Sequence, residues 1–176
     1  RRRMRLPEIK VMFIDVKKAH TYATCDDDGA YIELPPEDFE EGTCRKLKRW
    51  LYGMRGAAHG WEMEWQDKFK GAGFVMGKAA PTTMWNEDKE VRCVVHGDDF
   101  TFIGPEEELN NVAVKMSEWY EIKMRGIVGP ERSDMKAIDI LNRVSNGTWI
   151  VVLSTRPTSS MLKSWQKRWV SRWAPR

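Results

Sequence analysis

Asp98 and Asp99 stand side by side after Gly97, between the apolar runs 91–95 (VRCVV) and 100–104 (FTFIG), while Asp15 ends a third apolar run at 10–16 (KVMFIDV). Carboxylates crowded at a strand bend repel one another and gain most from a divalent cation, and their hard oxygens suit Mg²⁺. A third acid on a neighbouring strand tip would let two ions about 4 Å apart hold both the attacking and the leaving oxygen of a phosphoryl transfer. The same Gly-Asp-Asp is also a good turn with no chemistry at all, because glycine accepts positive φ and aspartate bonds its neighbouring backbone. Position therefore decides, and position is set by the elements around these residues.

The run 10–16 is rich in strand formers and reads as a buried strand delivering Asp15 to its tip. An acidic turn at Asp26, Asp27, Asp28 and Gly29 leads to a brief strand at 30–34, stopped by Pro35 and Pro36. A basic stretch follows, with Arg45, Lys46, Lys48 and Arg49 around Leu47 and Trp50, and it runs into a glycine turn at Gly53 and Gly56. Over 57–72, Trp61, Trp65 and Phe69 recur every four residues, the spacing of one helix face, and Gly71 and Gly73 end the helix. The block 82–104 reads as a hairpin with the aspartate pair at its bend. Pro105 and Glu106, Glu107 and Glu108 then start a second helix, with Leu109, Val112, Met116 and Trp119 on its apolar face. Strands are expected at 122–128 and 137–145, the latter turning at Asn146-Gly147 into 148–153. This order predicts an α+β domain, a split βαβ antiparallel sheet with both helices on one face. It would bring Asp15 beside Asp98 and Asp99.

With 176 residues, the chain is long enough for one ordinary domain. Hydrophobic residues at 41% and charged residues at 31% give a globular composition. No stretch approaches the roughly 18 apolar residues of a membrane span. Ten of the 29 basic residues lie at the ends, Arg1, Arg2, Arg3 and Arg5 and then Arg156, Lys163, Lys167, Arg168, Arg172 and Arg176, so the remaining 19 face 26 acids. An acidic body is no simple nucleic-acid surface, and any phosphate it handles needs local basic clusters or metal ions. Cys25, Cys44 and Cys93 are odd in number and far apart, which points to reduced thiols inside a cell, and neither they nor His20, His59 and His96 have zinc spacing.

Three segments in order, FIDVKKAH at 13–20, LKRWLYGMRGAAHGW at 47–61 and VVHGDDFTFIG at 94–104, resemble the reverse transcriptase domain of copia-type LTR retrotransposons. The resemblance spans roughly 9–145. It implies a polymerase palm over 9–153 in which Asp15, Asp98 and Asp99 are catalytic and bind two Mg²⁺ ions, with Mn²⁺ as a substitute. The backbone of Val16, Lys17, Lys18 and Ala19, with His20, Arg55 and Gly56, would face the incoming nucleotide. The implied activity is RNA-directed DNA polymerisation, nucleotidyl transfer from a dNTP to a primer 3′-hydroxyl on an RNA or DNA template. The implied context is a retroelement polyprotein in a cytoplasmic particle or the nucleus, away from membranes.

Departures from that pattern fall at named positions. The aromatic residue expected five positions after the first aspartate is His20, a smaller polar ring where a ribose 2′-hydroxyl would be excluded. The expected glutamine is Gly56, the proline two residues later is Ala58, and the tyrosine-valine before the aspartate pair is His96-Gly97. Only fourteen residues precede Asp15, so fingers and thumb are expected to be incomplete. The segment 154–176 reads as a basic tail, with Trp165, Trp169 and Trp173 at helical spacing, suited to packing on the palm more than to stacking on nucleic acid or lying on a membrane. Two other readings stand beside the polymerase: a noncatalytic nucleic-acid-binding α+β module, and an inactive retroelement remnant. An aspartyl phosphotransferase is disfavoured, because no second acid lies two residues after Asp15.

Overall fold

The computed structural model describes residues 9–132, 134–140 and 143–146, with side chains up to Ile138. Ten strands and two helices follow one another in the order β1 (Ile9–Val16), β2 (Tyr31–Ile32), β3 (Arg45–Lys46), α1 (Ala57–Gly71), β4 (Val75–Met76), β5 (Thr83–Asn86), β6 (Val91–His96), β7 (Asp99–Pro105), α2 (Glu106–Trp119), β8 (Ile122–Val128), β9 (Ala137–Ile140) and β10 (Arg143–Asn146). Short 3₁₀ turns occupy Ala19–Tyr22 and Pro36–Asp38. The class is α+β, as expected. Six strands form one antiparallel sheet in the order β4-β5-β6-β7-β1-β8.

The period of two in β1 sorts its side chains. Met12, Ile14 and Val16 point to the helices and are buried in the main core with Phe100 and Phe102 of β7. From α1, Trp61, Trp65 and Phe69 enter that core, and from α2 so do Leu109, Val112 and Met116, with Trp119 packed at the edge. Both helices therefore cover one sheet face. Neither has an apolar stripe broad enough to stand alone, so each helix is held by the sheet it covers. Phe69 is the centre of this packing, stacked on Phe100 at 5.8 Å and edge-on to Trp119 at 5.4 Å.

The opposite face is only partly covered. Val11 and Phe13 of β1 and Val128 of β8 are buried beneath Ile138 of β9, with Ile103 beside them. Among the described residues that cover reaches one end of β1 and not the Asp15 end, where Asp15 and Asp99 are partly exposed. A third small cluster joins Ala23, Cys25, Ala30 and Trp50 to Ala57 at the start of α1, and it supports the separate β2–β3 pair.

Several boundaries differ from expectation. The basic stretch contains β3, which pairs with β2 through Tyr31↔Lys46 and Ile32↔Arg45. The strand expected over 137–145 is two antiparallel strands, with Ile140 opposite Arg143, so the chain has already doubled back before Asn146-Gly147. Pro105 is the N-cap of α2 rather than its first helical residue. The expected strand at 148–153 and the tail at 154–176 lie outside the described residues.

Candidate active site

Asp15 and Asp99 are direct cross-strand partners in the β1–β7 ladder. Asp15 has the parity of Val11 and Phe13, and Asp99 that of Thr101 and Ile103, so both side chains rise from the face opposite the helices. Directly opposed residues of an antiparallel pair have Cβ atoms about 5 Å apart. Asp98 is adjacent in the chain, in the loop of the hairpin. Asp15 and Asp99, more than eighty residues apart in sequence, meet at a single rung of the ladder.

The hairpin that carries the pair is fixed from three sides. His96 pairs with Asp99, leaving Gly97 and Asp98 as a two-residue loop. Gly97 has φ 64°, the positive value that such a tight turn needs at its first loop position. The backbone N–H of Val16 donates to the Asp98 carbonyl at 2.9 Å, and the indole N–H of Trp61 donates to the Gly97 carbonyl at 2.9 Å. Helix α1 thus holds the bend as well as the core.

Arg125 supplies the charge that lets two carboxylates sit together. Its guanidinium donates to Asp15 Oδ1 at 3.0 Å and lies 3.4 Å from Asp99 Oδ1. It follows Lys123, the partner of Asp15, by two residues and so lies on the same face, at a break in the β1–β8 register: Phe13 faces Gly126 and Ile14 faces Met124, which leaves Arg125 as the extra residue of a β-bulge. Gly126 has φ 152°, and a Cβ on it would overlap the Met135 sulfur. Sequence reasoning missed Arg125. The signal was present as a slip in phase, since Ile122 and Met124 keep one alternation and Ile127 falls one residue out of step across a glycine.

The segment after β1 is arranged around its backbone. Val16 and Ala19 bury their side chains in the main core, so only their main chain can meet a ligand. Lys18 adopts φ 54° and begins the 3₁₀ turn. Lys17 is exposed and its ammonium is paired with Glu121 at 2.6 Å. The His20 ring lies against Tyr52, tilted by 35° with ring centroids 4.2 Å apart. Tyr52, also missed, has its hydroxyl pushed up by burial and by the Asp98 charge, while backbone hydrogen bonds from Ala19 and His20 oppose that shift. The Tyr52 oxygen therefore stands against the main chain expected to face a nucleotide.

Gly56 and Arg55 are reached differently. Arg55 is exposed on the turn before α1. Gly56 is the N-cap of α1, and a Cβ there would overlap the Trp50 ring, as would one at Gly60. The indole fills the space that a longer side chain at 56 would need.

The chain matches no protein-family model and no curated protein. Among the described residues, no helix is long and apolar enough to cross a membrane, and no group of three or more His, Cys, Asp or Glu side chains is placed to hold a metal ion. The Asp15–Asp99 pair nonetheless fits a hard cation by its own chemistry. Two carboxylates are turned toward one positive group, the donors are all oxygen, and the guanidinium between them acts as the stand-in ion.

Proposed function

We propose that this chain is the palm of an RNA-directed DNA polymerase of the copia type, transferring a nucleotide from a dNTP to a primer 3′-hydroxyl. The observation that carries this reading is the Asp15↔Asp99 rung with Asp98 next in the chain, both carboxylates partly exposed on a sheet whose other face is packed by two helices. When bound, two Mg²⁺ or Mn²⁺ ions would neutralise the carboxylates and the phosphates and stabilise both the attacking and the leaving oxygen. The chain's own contribution is position. The ladder fixes Asp15 and Asp99, while Val16 N–H and the Trp61 indole fix the loop carrying Asp98. The main chain of 16–19 offers a surface for the triphosphate, with pyrophosphate the leaving group. The His20 and Tyr52 rings border the place of the sugar and restrict what fits there.

The test is single-turnover incorporation on a primed RNA template with Mn²⁺. Asp15→Asn, Asp98→Asn and Asp99→Asn are each expected to lower the rate by roughly a hundredfold or more, the scale of losing one electrostatic element of a preorganised site. Incorporation indifferent to all three variants overturns the assignment. RNA binding that needs neither divalent ion nor these aspartates, with no incorporation, makes the chain a noncatalytic binding module instead.

A further inference from the structure

We infer that Arg125 is a resident counter-cation of the Asp15–Asp99 pair, and that a divalent ion reaches these carboxylates by displacing its guanidinium. The inference rests on the polymerase reading only in taking the pair as a cation site. It is carried by three observations: one guanidinium touches both carboxylates, a bulge exists at the residue that bears it, and the side chain is 37% exposed. Arg125 is two residues on from Lys123, which pairs with Asp15, so it shares the aspartates' face, and the slip between Phe13 and Ile14, with Gly126 behind it, leaves it outside the paired register. Arginine suits the task because its planar fork can serve two carboxylates at once.

A guanidinium held this way is not a permanent partner. Exposed ion pairs are weak, so Arg125 leaves at little cost when a better cation arrives, and its long stem lets the head swing into water without any backbone movement. A divalent ion carries twice the charge in a far smaller volume. In the metal-free chain Arg125 keeps the carboxylates together and suppresses their repulsion, and in the loaded chain it stands aside. It thereby sets how much free divalent ion is needed. Lys123, opposite Asp15 on β8, keeps some positive charge nearby in any Arg125 variant, which limits the gain from removing the guanidinium.

The experiment is Mn²⁺ binding, followed by loss of the free-ion electron paramagnetic resonance signal, in the full chain, in Arg125→Gln, in Arg125→Lys and in Arg125→Gln combined with Asp15→Asn. Far-ultraviolet circular dichroism of each protein verifies the fold. The expected result is half-saturation at about tenfold less Mn²⁺ in Arg125→Gln, on the scale of one exposed charge pair. Arg125→Lys should fall between, and the double variant should lose the site. If Arg125→Gln binds no tighter than the full chain while Asp15→Asn still abolishes binding, the counter-cation role is wrong and the cation site stands. If neither the full chain nor Arg125→Gln binds Mn²⁺ through Asp15, both the role and the polymerase reading fall together.

Discussion

Burial raises the Asp99 carboxyl above the ordinary aspartate value of 3.8, the Arg125 guanidinium opposes that shift, and the neighbouring Asp98 and Asp15 charges add to it. A carboxyl that holds its proton more tightly when folded favours the folded state at low pH. The contribution is full below the unfolded value and is lost as pH rises through the folded one. Asp99→Asn should therefore flatten the fall of melting temperature as pH rises above about 4 in metal-free protein, and saturating Mn²⁺ should do the same to the unaltered chain. Thermal melts across that range check it; a steeper fall in Asp99→Asn contradicts it. At this scale the sequence was half legible. The aspartates announced themselves by type and spacing, whereas Arg125 and Tyr52 became partners only through strand pairing and a ring contact that spacing along the chain does not encode.

The hairpin from β6 to β7 depends on α1 more than on its own turn. Trp61 is buried in the core while its N–H reaches the Gly97 carbonyl, so one side chain ties helix, sheet and bend. Trp61→Phe keeps an aromatic ring and removes the donor. It should cost about 1–3 kcal/mol in urea denaturation, since the carbonyl loses its partner. It should also slow nucleotide incorporation by about ten- to a hundredfold through a looser Asp98 loop, with binding of primed template little changed. Elements with a long period were readable from sequence: the four-residue spacing of Trp61, Trp65 and Phe69 gave both the helix and its buried face. The short ones were not. β3 has two residues and exists because β2 is there to pair with it, and β9 and β10 have four each, too short for a period to show where one stops.

Across the whole molecule, β1 carries opposite chemistry at its two ends, about 17 Å apart for five residues of strand. Near its start Lys10, 1% exposed, reaches Glu106 at the first turn of α2 at 2.7 Å, and Glu131 and Asp134 after β8 at 2.9 Å each. Burial alone would lower its ammonium pKa, but the three carboxylates outweigh that and raise it. Burial likewise pushes Asp134 up, and the hydrogen bonds from Lys10 and the Glu131 backbone bring it below the usual aspartate value. Asp134 thus adds stability that is present above its unfolded value of 3.8 and lost as pH falls through the folded one, the reverse of Asp99. Lys10→Met should destabilise the chain by about 3 kcal/mol in denaturant unfolding, mostly because Asp134 is left buried without its cation. Lys10→Met with Asp134→Leu should recover most of that loss. A double variant no more stable than Lys10→Met would mean that the cluster acts through the two half-exposed glutamates instead.

Trp50 over Gly56 and Gly60 governs the order in which this part of the chain can change. No side chain enters position 56 while the indole stands, and the indole needs both glycines bare. A long side chain at 56 is reachable only after position 50 has become small, and that first step empties a buried pocket beside Ala23 and Ala57 before anything refills it. The three positions change as one unit. With the tryptophan in place, any route to an amide at the helix start runs through a less stable protein.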